Sequence, residues 1–276
     1  MFNVRSFNNP ARAEPATALD TLRFRDQDEL GVRMTRWVDR LAADRSLLER
    51  TSTVERVTDL LRQRIIQGEL PPGTQLSEVS AKDALGVSRN TLREAFRLLG
   101  HERLLVHAMH KGVSVRKPTS EDVVDLYRLR RIIEVGAVRL AETGKQHLVE
   151  AVTQAVDAGE RAATGGDWTE VGTANMRFHE ALVGLADSPR SNGAMAGLLA
   201  ELRLAFHVMS TDERGEIDPE RTRGFYEQYV ERNRSIADKV AAAELEAAAG
   251  ELERYLADAE AHLIEAYENR SRHPIE

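Results

Sequence analysis

The chain is predicted to be mainly α-helical, with an N-terminal winged helix-turn-helix that carries a small β-hairpin wing, followed by an all-α helical bundle. Three observations lead to this prediction. Apolar residues recur at helical spacing on both sides of a glycine turn at residues 86–88. Two short β-prone runs follow, at 104–108 and 113–115. From Pro118 onward the apolar pattern is helical throughout, without a strand signal or an internal repeat.

Composition and charge divide the chain into four segments. Residues 51–117 carry a net charge of +4 and residues 118–276 a net charge of −12, whereas residues 1–50 carry +1. A basic segment followed by an acidic one is typical of a DNA-binding domain joined to a second domain that does not contact the DNA phosphates. The predicted segments are an extension at 1–50, partly disordered with a helix near 28–50, a winged helix-turn-helix at 51–117, a helical effector and dimerisation domain at 118–270, and a tail at 271–276.

The composition excludes several classes of protein. The 276 residues include no cysteine, so neither a disulfide framework nor a thiolate site is expected. No apolar run approaches the roughly 18 residues that a membrane span needs. The first residues lack the apolar core of a secretion signal. The sequence therefore predicts a soluble, cytoplasmic protein.

The start of the second segment predicts two helices joined by a rigid turn. The residues of 51–67 that point inward share helical spacing, and Gly68 ends this helix. Two prolines in the following turn fix the backbone, and a short helix is expected over 77–85. The inward residues of the first helix are Val54, Val57, Leu61 and Ile65.

A third helix, behind Gly86, presents arginines on one face and apolar residues on the other. Ser88 is the expected N-cap. Arg89, Arg93 and Arg97 lie four residues apart, opposite a buried stripe at 92–99. Cations stacked on a short helix behind a tight turn are what DNA phosphates and guanine edges require. The alternatives are a solvated basic face and a protein-binding module, against which the turn and the arginine face weigh.

The residues of 51–117 resemble the DNA-binding domain of the GntR family of bacterial transcription regulators. The matching residues are Leu70-Pro-Pro-Gly73-Thr-Gln-Leu76-Ser77-Glu78, Leu85-Gly86-Val87-Ser88-Arg89, Leu92-Arg93-Glu94-Ala95 and Lys111-Gly112. The resemblance implies that Arg89 and Arg93 contact bases or phosphates and that Asn90 and Thr91 contact the DNA backbone. It also implies that the wing contact with DNA is made by His110, Lys111 and Gly112. Val79 and Ser80 depart from the family, which often has a basic residue there, and Thr91 replaces a frequent proline.

The C-terminal segment is predicted to hold six helices, near 120–143, 146–164, 167–186, 190–211, 220–243 and 244–270. Thr119 or Ser120 caps the first of them. On that helix Arg130 falls among inward residues, and an unpaired buried guanidinium is very costly. Arg130 therefore either pairs internally with Glu134 or faces a cavity as a clamp for a carboxylate. The inward residues are Val123, Leu126, Tyr127, Ile133, Ala137 and Leu140.

Polar residues on the inward stripes of three further helices converge on the middle of the bundle. Asn175 and His179 share one stripe, Asn233 lies on another, and Tyr255 on the last. A single buried histidine is usually a satisfied core residue, but several polar groups from four helices indicate a lined cavity. Arg203 and His207, one turn apart, are candidates for additional lining.

Residues 120–270 resemble the helical effector domain, called FCD, of the FadR subgroup of GntR regulators. The residues that carry this resemblance are 126–134, 175–179 and 234–236. Many such domains bind a divalent metal through an aspartate and three histidines, with a carboxylate effector completing the coordination. The corresponding positions here are Asn175, His179, Asn233 and Tyr255. Because neutral amide and phenol oxygens replace imidazole poorly on a transition metal, no tightly bound metal is expected.

These observations predict a dimeric transcription regulator, a repressor, that binds an inverted repeat. A small acidic metabolite, of the carboxylate or acyl-CoA type, would bind Arg130, Asn175, His179, Asn233 and Tyr255 and change operator affinity. One alternative is a metal-dependent member of the same class, with His207 and His262 as further ligands. Another is an enzyme with an accessory winged helix, although the chain lacks a phosphate loop and a Ser/His/Asp pattern.

Overall fold

The computed structural model describes residues 45–108, 112–142, 144–212 and 216–272. The N-terminal part, which we call the head, contains three helices and three short strands. They are α1 Arg45–Ile66, β1 Gln75–Leu76, α2 Glu78–Leu85, α3 Arg89–His101, β2 Leu105–Ala108 and β3 Gly112–Val115. The helix predicted near 28–50 lies outside the described residues up to position 44. The same is true of His110, Lys111 and positions 273–276 of the predicted tail.

Local capping explains where α2 and α3 begin and end. The Ser77 side chain accepts from the backbone N–H of Ser80 and so caps α2. Gly86, at φ 64°, closes α2 in the left-handed conformation that a residue without Cβ adopts at little cost. Ser88 then caps α3 by accepting from the N–H of Thr91. The turn between the two helices is thus confirmed as predicted.

The three strands form an antiparallel sheet in the order β1-β3-β2. In the wing hairpin, Leu105 lies opposite Val115 and Ala108 opposite Gly112. Strand β1 was not predicted, because its two residues follow a proline-rich turn and are ordered only by pairing with β3. Helices and sheet enclose an apolar core, which includes Val57, Leu61, Ile65, Leu92, Phe96, Leu99, Leu104, Val113 and Val115.

The C-terminal part, which we call the bundle, is helical. Its elements are α4 Ser120–Arg130, a π-helical turn Arg131–Val135, α5 Gly136–Arg139, α6 Gln146–Thr164, α7 Trp168–Gly184, α8 Pro189–Ser210, α9 Pro219–Ala241 and α10 Leu245–Arg272. Thr119 begins α4 with a capping box to Asp122. Gly250 does not interrupt the last helix. No helix in the part of the chain that the structure describes is long and apolar enough to span a membrane.

The first bundle helix differs from its prediction, because a π turn interrupts it. A π turn holds an extra residue, so that Glu134 and Val135 both face inward. Helix α5 then ends at Arg139, and Leu140 lies beyond it with 74% of its surface exposed. The prediction that Leu140 points inward is therefore wrong, and Ile133 is only partly buried. The inward positions predicted for Val123, Leu126, Tyr127 and Ala137 are confirmed.

Helix α8 is shared between the two parts of the molecule. Leu202, Ala205 and Phe206 belong to the core of the bundle, whereas Leu204 is 1% exposed within the core of the head. From Val54 onward, the described residues accordingly form one compact unit.

Candidate functional site

Helix α3 exposes its polar face to solvent along its length. Leu92, Ala95, Phe96 and Leu99 are buried beneath it, which fixes the direction of the opposite face. Arg89, Arg93 and Arg97 are all exposed on that face. The structure therefore brings the three arginines to one surface, as the spacing predicts, in a helix that follows a tight turn as in DNA-binding helix-turn-helix motifs.

Two of the three arginines form exposed ion pairs. Nε of Arg93 donates to Oε2 of Glu78 in α2 at 2.9 Å. Arg97 binds Glu94 through Nε and Nη2, at 3.0 and 2.6 Å. Exposed pairs of this kind contribute little to stability, so the guanidinium groups can exchange carboxylate for phosphate at low cost. Among the described residues Arg89 has no ion-pair partner, which leaves its charge available.

The polar residues at the start of α3 have different roles. Thr91 takes part in the cap, since its hydroxyl lies 2.8 Å from Oγ of Ser88 and its N–H donates to the same atom. Asn90 is exposed beside it. At the wing, Gly112 is exposed with φ 78°, while the predicted contacts of His110 and Lys111 lie outside the described residues.

Inside the bundle, Arg130 and His179 meet at one carboxylate. Nε of Arg130 donates to Oε1 of Glu134 at 2.6 Å, and Nδ1 of His179 lies 2.7 Å from Oε2 of the same residue. All three side chains are buried. The guanidinium also lies over the ring of Tyr127, 4.8 Å from its centroid. Internal pairing of Arg130 with Glu134, one of the two arrangements considered from the sequence, is the one the structure shows.

A second cluster of hydrogen bonds continues from His179. Its Nε2 lies 3.4 Å from the hydroxyl of Tyr255. That hydroxyl donates to Oδ1 of Asn175 at 2.9 Å, and Nδ2 of Asn233 donates to the same oxygen at 2.9 Å. The five predicted effector residues and Glu134 thus form one chain of contacts across α4, the π turn, α7, α9 and α10. We call these six residues the polar network.

The electrostatics of the network follow from its burial. Burial raises the pKa of the Glu134 carboxyl, but Arg130 and His179 outweigh this and hold it below its usual range. Burial lowers the pKa of His179, against the opposing effect of Glu134. Burial also raises the pKa of Tyr255 well above its usual value. At neutral pH the network therefore holds an ionised Arg130–Glu134 pair, a neutral imidazole and a neutral phenol.

This protonation state assigns the hydrogen-bonding roles. An ionised carboxylate can only accept, so Nδ1 of His179 carries the proton and Nε2 presents a lone pair. Within the described part of the chain, Nη2 of Arg130, the hydroxyl of Tyr127 and Oδ1 of Asn233 are buried without a hydrogen-bond partner. Unpaired buried polar atoms of this kind are uncommon and indicate a place for a water or a ligand.

A small pocket between α6, α7 and α9 borders the network. It has room for no more than about one water molecule, and its polar lining residues are Asn175, Asn233 and Glu160. The rest of its lining includes small residues of α6, Ala155 and Gly159. The sequence did not indicate that α6 contributes, because alanines and glycines on a helix give no functional signal.

Two further predicted lining residues lie elsewhere. Arg203 donates to the carbonyl of Ile66 and to the hydroxyl of Thr173. His207 packs against Gly68, where an added Cβ would come within 3 Å of the imidazole. Both residues thus contact the end of the first head helix and its following turn, which corrects their assignment to the cavity.

The side chains at the four positions that the FCD resemblance aligns with metal ligands are a poor fit for a transition metal. Only His179 offers a nitrogen, and that nitrogen is Nε2, since Nδ1 is bonded to Glu134. Amide and phenol oxygens supply the remaining three positions, and these bind such ions weakly. Within the described residues, no group of three histidine, cysteine, aspartate or glutamate side chains is placed to hold a metal ion.

Comparison with known proteins gives the same division of the chain into two parts. Residues 53–115 match the family described as bacterial regulatory proteins, gntR family, and residues 125–258 match the FCD domain. A GntR transcriptional regulator from Rhodococcus sp. RHA1 is 40% identical in sequence, with a TM-score of 0.69 over 78% of this chain and 99% of that one. The chain belongs to the GntR family.

Two other proteins are similar to this GntR regulator. It is 32% identical to the "Probable D-xylose utilization operon transcriptional repressor" of Paenarthrobacter nicotinovorans, over 60% of this chain and 73% of that protein. The structure of E. coli McbR/YncC, with a TM-score of 0.63 at 20% identity over 78% of this chain and 98% of that one, shares the fold. The protein is a DNA-binding transcriptional regulator with an FCD domain, and it is not an enzyme.

Proposed function

We propose that this GntR regulator is a cytoplasmic repressor of the FadR subgroup that binds an inverted-repeat operator as a dimer. In this proposal the α3 helices of two subunits enter successive major grooves, with Arg89, Arg93 and Arg97 on bases and phosphates. Asn90, Thr91 and the wing tip contact the backbone. The exposed arginine face of α3 is the observation that carries the proposal, and the repressor named among its relatives supports the direction of control.

The dimer is supported by an exposed apolar surface on the bundle. Leu129, Ile132 and Leu140 are 43%, 73% and 74% exposed, and they follow one another along α4, the π turn and the end of α5. Apolar surface that is exposed at several positions along one helical segment is a feature of protein contact sites. We place the contact between the two subunits on this stripe.

The effector in this proposal is a small acidic metabolite that binds at the polar network without a metal ion. Nη2 of Arg130 supplies a donor for an anionic oxygen, and the lone pair on Nε2 of His179 and Oδ1 of Asn233 accept from hydroxyl or amide groups. Binding would require the bundle to open from its present packing, because the pocket holds little space. Such a change is a means by which an effector shifts the equilibrium between two states of a regulator.

DNA binding is tested with the full-length protein and a duplex that it selects from a random pool. Fluorescence anisotropy should give a dissociation constant that rises steeply with salt. Replacing Arg89 or Arg93 by alanine should weaken binding and reduce the salt slope, whereas replacing exposed Arg190 in the bundle should change neither. Unchanged affinity in both head variants would contradict the contact assignment.

Effector binding is tested by thermal shift against small carboxylates, sugar acids and acyl-CoA thioesters, with and without EDTA. A compound at about a hundred times its dissociation constant should add roughly 2.7 kcal/mol to the free energy of unfolding. A shift that persists in EDTA supports the metal-free site. A shift that EDTA abolishes would favour the metal-dependent alternative.

A further inference from the structure

Arg203 of α8 joins the head to the helix that carries the polar network. Its Nε donates to the backbone carbonyl of Ile66 at 3.3 Å, and its Nη2 donates to Oγ1 of Thr173 at 3.1 Å. Ile66 is the last residue of α1, and Thr173 lies in α7. One planar guanidinium therefore spans two elements that are distant in sequence, and its fork holds both at fixed positions.

Each of the two partners needs this donor. The carbonyl of Ile66 is among the last four of α1, which have no partner within the helix. A cation at the C-terminal end of a helix also complements the helix dipole. The hydroxyl of Thr173 donates to the carbonyl of Thr169, so that its lone pairs are free to accept from Arg203.

Thr173 lies on the same helix as two residues of the polar network. It precedes Asn175 by two residues, and the same helix carries His179. Gly172, next to Thr173, lies against the ring of Tyr226, where an added Cβ would come within 3.0 Å of ring carbons. This stretch of α7 is thus closely packed, and it can shift only as a unit when contacts at Asn175 or His179 change.

Two neighbours of Arg203 on α8 also contact the head. Leu204 is buried in the head core. Glu201 pairs with Arg116 at 3.3 Å, and Arg116, just after β3, also pairs with Asp122 in α4 at 2.5 Å. Helix α8 therefore holds the head at the end of α1 and at the end of the wing strand.

We propose that Arg203 couples the polar network to the DNA-binding head. In this proposal it is a positioning residue, because it acts through the carbonyl of Ile66 and the hydroxyl of Thr173. A displacement of α7 by about 1 Å would stretch one of its two hydrogen bonds beyond useful length and release or pull the end of α1. This inference rests on the proposed function, because it assumes that the network controls DNA binding.

The experiment is a double-mutant cycle on DNA affinity, measured by anisotropy with the full-length chain and its selected duplex. Asn175→Ala disturbs the network in place of an unidentified effector, because it removes the acceptor shared by Tyr255 and Asn233. In an otherwise unchanged chain it should alter the dissociation constant by at least about fivefold, at the lower end of allosteric coupling. In the Arg203→Met background the same substitution should alter it less than about twofold.

Two further variants make the cycle specific. Thr173→Val removes only the acceptor hydroxyl and should reduce the effect of Asn175→Ala as Arg203→Met does. Arg221→Met is the matched control, because Arg221 also donates to a backbone carbonyl, that of Thr211, but within the bundle. It should leave the effect of Asn175→Ala unchanged. If Asn175→Ala does not fold, Tyr255→Phe replaces it.

The outcomes separate this inference from the proposed function. A protein that selects no duplex and shows no salt-dependent binding contradicts both. A second outcome is tight DNA binding in which Asn175→Ala has no effect, or has the same effect with and without Arg203. This outcome contradicts only the coupling by Arg203 and leaves the proposed function unaffected. A merely structural role of Arg203 would lower the thermal midpoint of every variant equally and would leave the ratio of affinities unchanged.

Discussion

Glu134 and His179 form the centre of the bundle, with Oε2 of the carboxylate 2.7 Å from Nδ1 of the imidazole and both side chains fully buried. Arg130 completes the group by binding the other oxygen at 2.6 Å. The charge of the carboxylate is thus compensated by one cation, and the imidazole remains neutral. A buried charged group without such partners would be very costly, so the three residues depend on one another.

The neutral state of His179 predicts a dependence of stability on pH. Burial lowers the pKa of His179 below its usual 6.5, so that below about pH 6.5 the unfolded chain binds a proton that the folded chain does not. The free energy of unfolding should then fall with decreasing pH, by up to about 1.4 kcal/mol per unit from this residue. The carboxyl of Glu134, whose pKa is lowered, adds a further loss only below about pH 4.5.

Urea unfolding between pH 5 and 7.5 measures this slope. His179→Gln keeps an N–H donor for Glu134 but cannot titrate, so its curve should be flatter than that of the unchanged chain. His147→Gln, at an exposed position, is the control and should keep the original slope. Equal slopes in all three proteins would show that His179 is not held neutral.

The donor set predicts that a metal site can be introduced by substitution. The triple variant Asn175→Asp, Asn233→His and Tyr255→His, with His179, has the aspartate and three histidines that the FCD resemblance implies for its metal-binding members. Calorimetric titration with Zn²⁺ or Ni²⁺ should show about one ion per chain in this variant and none in the unchanged chain. Adding His179→Ala should abolish it. Stoichiometric binding by the unchanged chain would overturn the metal-free site.

The sequence predicted the helices of the fold well because their ends are determined locally. Gly86, Ser88 and Thr119 act at the predicted positions, and the helix bounds differ from the predicted ones by a few residues at most ends. What it missed depends on distant contacts. Strand β1 exists only through pairing with β3, and the π turn at 131–135 forms in a segment whose residues have an ordinary helical pattern.

For the candidate site, too, the sequence predicted what local spacing determines and missed what depends on distant contacts. Helical spacing brought Asn175, His179, Asn233 and Tyr255 to one interior, since four stripes must face a common core. Spacing alone left open whether Arg130 pairs with Glu134. It predicts which face of a helix a side chain lies on, but not which residue that side chain contacts. It also placed Arg203 in the cavity, whereas its actual partners are a backbone carbonyl and a hydroxyl from two other elements.

The ion pair between Arg93 and Glu78 predicts that the carboxylate limits DNA binding. Glu78→Gln frees Arg93 for phosphate and removes a negative charge that would face the DNA. Affinity for the selected duplex at moderate salt should increase by about two- to fivefold, as expected for loss of a weak exposed pair. Glu231→Gln in the bundle, measured in the same way, should have no effect. A decrease with Glu78→Gln would show that Glu78 orients Arg93 for binding rather than competing for it.

The exposed apolar stripe predicts the oligomeric state of a charged variant. Ile132→Glu together with Leu129→Glu should yield a particle near 30.8 kDa by light scattering, in place of twice that mass. Two buried like charges per subunit would make the contact between subunits unfavourable. Ile217→Glu, at an apolar position that is 47% exposed elsewhere on the bundle, should leave the mass unchanged. A dimer that persists in the double variant would place the contact on another surface.

The turn between α9 and α10 contains a residue in an unfavourable backbone conformation. Ala243 has φ 60°, a left-handed value that costs a residue with a Cβ about 1–2 kcal/mol. Ala243→Gly removes this cost but adds freedom to the unfolded chain, so the free energy of unfolding should rise by about 0.5–1 kcal/mol. Ala242→Gly, at the neighbouring φ of −79°, has only the second effect and should lower stability by about the same amount. Urea unfolding of the two variants tests the difference, and a loss of stability in both would mean that Ala243 is not in the left-handed conformation in solution.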